Sequence, residues 1–149
     1  MRGTTNSLYE IAEQQGVLVL LCPLQKLEAV SCVDGEGRCS IGIDPQKLRS
    51  AADEREKLAH ELGHCVTGAF YNRYSPFDSR SRHEARARRW ALDALVPEPE
   101  LQKALSEGRS LYELCEWFSV SEGTMRLALA RHREMELSAE PPCARESFG

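Results

Sequence analysis

His60, Glu61 and His64 stand in the order HExxH within the stretch Ala59-His60-Glu61-Leu62-Gly63-His64-Cys65. Residues four apart on a helix share a face, so the two imidazoles can offer nitrogens to one ion about 2 Å away. Glu61 lies about 100° further round the helix. It is badly placed to ligate from the same helix but well placed to take a proton from a water at the ion. Two neutral nitrogens, a carboxylate base and an open coordination position are what zinc-assisted hydrolysis of a carbonyl compound requires. The competing reading of so short a match is a core histidine beside a solvated glutamate.

A catalytic zinc takes three protein ligands as a rule, and Glu84 is the candidate third. On a helix spanning 82–96 it falls within about 20° of Ala91 and Leu95. A carboxylate on that inward stripe requires a partner. A metal held by His60 and His64 would supply it; an ion pair with Arg86 or Arg88 is the alternative. His83 ranks second as a ligand, or serves as a hydrogen-bond donor to a developing oxyanion. Tyr71 and Tyr74 are further candidates for transition-state or substrate contact, although tyrosines that follow a helix more often simply pack. Asp93, about 180° from Glu84, is expected in solvent.

Periodicity and stop signals outline the elements that must hold these groups. From Ser50 to Phe70 the chain lacks proline and places Leu58, Leu62, Val66 and Ala69 at helical steps, giving one long helix. Residues 71–78 form a loop. The helix from Arg82 to Val96 is closed by Pro97, and a further one runs to Gly108. Ser110-Leu111-Tyr112-Glu113 is a capping box opening a helix to Phe118, and after Ser119-Val120-Ser121 a last helix covers 122–132. At the other end, Ser7-Leu8-Tyr9-Glu10 opens a first helix stopped by Gly16. Strands follow at Val17–Cys22, Ala29–Val33 and 38–43, the last two joined as a hairpin by Asp34-Gly35-Glu36-Gly37 and closed by Pro45. The fold class is therefore α+β: a small N-terminal antiparallel sheet packed on the HExxH helix, then a mostly helical C-terminal half. One domain is expected over 1–136, with its helical subregion from about 98 to 136. Residues 137–149, which include Pro141-Pro142, read as a loose tail.

Composition narrows the partners. At 149 residues, 42% hydrophobic and 28% charged with a net charge of -4, this is an ordinary globular composition with no electrostatic reason for general nucleic-acid affinity. The longest apolar run, Val17 to Cys22, is far too short to span a bilayer. The N-terminus lacks the pattern of a signal peptide, so a cytoplasmic location is expected. Six cysteines, Cys22, Cys32, Cys39, Cys65, Cys115 and Cys143, form no CxxC, and in that compartment free thiols are expected. A structural zinc on Cys32, Cys39 and Cys65 is a minor alternative.

The match extends beyond the motif. The run Lys57 to Cys65, then Phe70-Tyr71-Asn72-Arg73-Tyr74-Ser75-Pro76, then His83-Glu84 and Trp90-Ala91 up to Leu95-Val96-Pro97, resembles the ImmA/IrrE family of metallopeptidases, over roughly residues 8 to 133. The resemblance implies a minimal gluzincin-like fold, in which an HExxH helix and a following glutamate-bearing helix bind zinc. It also implies cleavage of an internal peptide bond in a repressor of a mobile element such as a prophage, or in a stress-response regulator. The family often carries a glutamate two residues closer to the helix-ending proline. Here that position is Arg86, which cannot bind zinc, so the carry-over falls on Glu84. Glu61 would be the general base, and an extended substrate is expected to add along the strand 38–43.

A rival reading is a non-catalytic regulatory or DNA-binding protein with purely structural zinc, because residues 111–131 resemble a helix-turn-helix. Against it, the segment from 119 onward carries Arg126, Arg131, Arg133 and Arg145 against Glu122, Glu134, Glu136, Glu140 and Glu146, a poor balance for gripping phosphate.

Overall fold

The computed structural model describes residues 5–68 and 79–139. Among them the chain forms α1 (Thr5–Gln14), β1 (Leu18–Leu21), β2 (Ala29–Val33), β3 (Cys39–Ile43), a 3-10 turn (Pro45–Lys47), α2 (Ala51–Thr67), α3 (Arg80–Leu95), α4 (Glu98–Ser106), α5 (Leu111–Phe118) and α6 (Glu122–Ala139). The class is α+β, as expected. Several helix boundaries differ: α2 ends at Thr67, where Gly68 in the left-handed region stops it short of Phe70, and α3 begins at Arg80 rather than Arg82. α1 begins at Thr5, so Ser7 lies inside its first turn rather than capping it. α6 continues to Ala139, because Arg133 to Leu137 are good helix formers with no breaker among them.

The sheet is mixed rather than antiparallel. Its order is β1-β3-β2; β2 pairs antiparallel with β3 through the expected hairpin, while β1 runs parallel to β3 on the other side. The reason lies in the link 22–28, which carries the chain from β1 past the end of β3 to the far edge. The Cys22 N–H donates to the Ile43 carbonyl, and the Asp44 N–H to that of Glu28. The buried Asp44 carboxylate accepts from the Leu24 N–H, and the Lys47 ammonium donates to the carbonyls of Leu24 and Leu27. The bond from Leu24 in particular holds the Asp44 carboxyl below the usual carboxylate range. Both groups fix the approach to β2.

Alternation along β3 turns Cys39, Ile41 and Ile43 toward the helices. Ile41 and Ile43 are fully buried, whereas Leu18 and Leu20 of β1 are exposed. The core combines these isoleucines with Leu8 and Ala12 of α1, Leu58 and Leu62 of α2, and Ala91 and Leu95 of α3. It continues through Leu101, Leu114, Phe118 and Met125 of the C-terminal helices without a break.

Cys39 and Cys65 are joined by a disulfide, their Cα atoms 5.8 Å apart. The expectation of free thiols is corrected for this pair, while Cys22, Cys32 and Cys115 are free. The cause is placement: Cys65 lies about 100° round α2 from His64, on the packed side, and there meets the inward-facing Cys39 of β3. The same bond removes the thought of a zinc held by Cys32, Cys39 and Cys65. Cys143 lies outside the described residues.

Candidate metal centre

α2 carries three kinds of residue at once. Its start is capped by the Ser50 hydroxyl, which accepts from the Asp53 N–H at 3.0 Å, and its end by Gly68 at φ +67°, whose N–H reaches the His64 carbonyl. Leu58, Ala59 and Leu62 are fully buried on one side. His60 and His64 come out on the opposite side, His64 buried and His60 partly so. Gly63 lies between the two faces.

That glycine sets the distance to α3. A Cβ at Gly63 would lie 2.4 Å from the Ala87 carbonyl oxygen and 3.0 Å from its Cα, so the two helix backbones touch there. Ala87 and Ala91 are correspondingly small and buried. Glu84 sits one turn before Ala87 on this contact face and so is delivered to the histidines. Its Oε2 is 3.0 Å from His60 Nε2 and its Oε1 is 3.1 Å from His64 Nε2. Arg86 and Arg88 are exposed and do not compete. Asp93 is exposed, as expected, and pairs with Arg131 of α6.

The ligand atoms of His60, His64 and Glu84 all lie within 4.8 Å of one another. A tetrahedral ion with bonds of about 2.0 Å has ligand-to-ligand edges of about 3.3 Å. The observed nitrogen-to-oxygen separations are close to that edge. Two imidazole nitrogens and a carboxylate match the donor chemistry of zinc, so the residues fit a divalent ion of this kind.

Glu61 lines an open cleft of about 250 Å³ together with His60, His64 and Glu84, and also His83, Arg80 and Ala29 to Ser31 of β2. His83 thus reaches the site from the second helix. Tyr71 and Tyr74 lie outside the described residues. A second opening of about 500 Å³ adjoins the first at His60 and Glu61 and extends along α2 past Leu27, Lys57 and Glu56. Lys57 bridges Glu28 at 2.9 Å and Asp53 at 2.7 Å. Burial works against its charge, but those hydrogen bonds more than offset it and hold the ammonium above its ordinary range. It therefore ties the start of β2 to α2 as a cation.

A family model described as the IrrE N-terminal-like domain, a peptidase family designated M78, matches residues 12–130. The chain belongs to that family. No curated protein and no solved structure matches it. IrrE-like peptidases are generally metal-dependent, and the matched span contains α2 and α3 with all of His60, Glu61, His64 and Glu84. No helix among the described residues is long and apolar enough to cross a membrane.

Two features of this IrrE-like site were not read from the sequence. The cleft wall is β2, not β3: strand 39–43 is paired on both sides, so its backbone groups are taken and a substrate strand cannot add there. The signal was that Ile41 and Ile43 both seek burial, which favours the middle of a sheet. The second is the grip of α2 on the helix-turn-helix-like segment. The buried Arg55 donates to the carbonyls of Phe118 and Ser119 at the end of α5, and Glu56 accepts from the N–H and hydroxyl of Ser121 before α6. Arg126 on α6 is paired with Glu122. The turn is thus docked on the metal-site helix.

Proposed function

We propose that this chain is a zinc-dependent endopeptidase that hydrolyses an internal bond of a protein substrate, with a repressor or regulator of a mobile element or stress response as that substrate. The observation that carries the reading is the convergence of His60, His64 and Glu84 on one point with Glu61 in the same cleft. His60, His64 and Glu84 hold the ion. When bound, zinc supplies Lewis acidity, lowering the pKa of its water to about 7 and polarising the substrate carbonyl.

Glu61 takes the proton from the attacking water and passes it to the departing nitrogen, a transfer worth about 10²–10⁴-fold in rate. The free edge of β2 supplies backbone donors and acceptors to an extended segment laid beside the cleft. His83 stands at the same cleft, where it can donate to charge developing on the carbonyl oxygen.

Metal analysis of the purified protein tests the first half: about one zinc per chain, lost in His64→Ala, is expected, and folded protein that takes up no metal defeats the reading. The second half is tested by incubating the protein with purified candidate repressor proteins and sequencing the fragments by mass spectrometry. Glu61→Gln should keep zinc and yield no fragments. Equal cutting by both proteins would remove Glu61 from its role.

A further inference from the structure

The Cys39–Cys65 bond joins the central strand to the metal-site helix one residue after His64. Cys39 and Cys65 are both half-buried residues that pack against the edge of the core. Their bond is the one covalent tie between sheet and site among the described residues. β3 is anchored in the sheet from both sides, and Ile41 and Ile43 beside Cys39 are fully buried, so the strand end of the bond is fixed. The helix end is different: beyond Cys65 only Val66 and Thr67 remain before the Gly68 cap, and neither is fully buried. The segment of α2 that carries His64 is therefore held from one side by α3 at Gly63 and from the other by this bond.

Disulfides in reducing compartments are commonly transient and redox-sensing rather than permanent. We propose that Cys39 and Cys65 form a reversible thiol–disulfide couple that controls how firmly the metal centre is held, an inference that rests on the metal reading of His60, His64 and Glu84. In the forward direction two protein thiols and one molecule of a low-molecular-weight disulfide such as oxidised glutathione exchange through a mixed disulfide. The protein S–S bond forms, two electrons pass to the small disulfide, and two small thiols leave with the two protons. Reduction is the reverse, with a small thiol or dithiol as donor. Oxidised, the couple pins the His64 end of α2 to β3. Reduced, it leaves that end held by packing alone, and the ligand set loosens. Cys32 takes no part, because it faces the opposite side of the sheet from Cys39, and Cys22 and Cys115 are free thiols.

The test equilibrates the full-length wild-type protein with zinc in glutathione buffers from fully oxidised to fully reduced. Thiol state is read by alkylation and mass spectrometry, zinc retention by competition with a chromogenic chelator, and helix content by circular dichroism. The expected result is a Cys39–Cys65 bond that opens and recloses within the series while helix content stays constant. Zinc retention should fall at least about threefold on opening, a free-energy change well below that of losing a ligand. Cys39→Ser should bind zinc like reduced wild type in every buffer, and Cys32→Ser should respond like wild type. A bond that stays closed in the most reducing buffer makes it a permanent staple and overturns the proposal. Equal zinc retention in both states overturns it too, leaving the metal site intact. No zinc uptake in either state defeats the metal reading itself.

Discussion

Two groups of histidine and glutamate in this molecule use the same side chains to opposite ends. In the cleft, His60 and His64 each turn Nε2 toward one carboxylate, that of Glu84, so three ligand atoms face a single point. Between α4 and α6, the buried His132 is flanked on its two ring nitrogens by two different carboxylates, Nδ1 on Glu98 and Nε2 on Glu136 at 3.2 Å. Ligands that converge leave room for an ion; ligands that sit on opposite sides of one ring leave none. The second group is a clamp that fastens α6 to the start of α4. Two histidines on one carboxylate make the first group and two carboxylates on one histidine the second, and direction decides between them.

The largest expected effect separates the two groups outright. Structural zinc sites hold their ion with a total of about 10–16 kcal/mol shared among four ligands, so His64→Ala should weaken zinc binding by roughly 10²–10³-fold, read by chelator competition. His132→Ala should leave zinc affinity unchanged. Reversed outcomes would mean that the two groups have been assigned the wrong way round.

Stability should divide in the other direction. Removing the His132 ring strands the part-buried Glu98 carboxylate, at a cost of about 2–3 kcal/mol, measurable by urea denaturation. His64→Ala in zinc-free protein should cost less, because Glu84 keeps its contact with His60 and lies at an open cleft.

Next comes the contact that makes convergence possible. Gly63→Ala drives a methyl into the Ala87 carbonyl. An overpacking cost of about 1–3 kcal/mol is expected, with loss of zinc affinity as Glu84 retreats with α3. A Gly63→Ala protein that binds zinc normally would show that the helix spacing is not what sets the ligand geometry.

The smallest effect lies outside both groups. Tyr9 donates to Glu54 of α2 at 2.8 Å, and burial first, then that bond and the nearby charge, push the phenol up to about 12 from 10.0. Its folded value is raised, so its contribution is complete below the unfolded value and is lost as pH climbs from 10.0 through about 12. Tyr9→Phe should cost about 1 kcal/mol at neutral pH and lack that alkaline loss in a pH series of denaturation curves.

The convergent group was legible in the sequence because it depends on local geometry. HExxH fixes two ligands on one helical face, and the stripe through Ala91 and Leu95 points Glu84 inward whatever the rest of the chain does. The clamp was not legible, because which side of His132 meets Glu98 depends on how α6 lies against α4. Sheet order failed for a related reason: β1 and β3 look alike as short apolar strands, and only the course of residues 22–28 decides which takes the centre. The disulfide depended on the sheet order, since Cys39 meets Cys65 only once β3 lies under α2. The roles of Tyr71 and Tyr74 stand as sequence expectations.

Arg55 and Glu56 give the molecule an indivisible length. The helix that presents the candidate metal ligands is also the one whose buried guanidinium donates to the carbonyls of Phe118 and Ser119. Burial presses the Arg55 pKa below its ordinary value, and the neighbouring Glu56 charge works against that. A shortened chain that stops after α3, though it would keep His60, His64 and Glu84, would lose the two carbonyls to which Arg55 donates. The smallest stable form of this fold is thus bounded by the docking of α5 and of the turn before α6, well beyond Glu84.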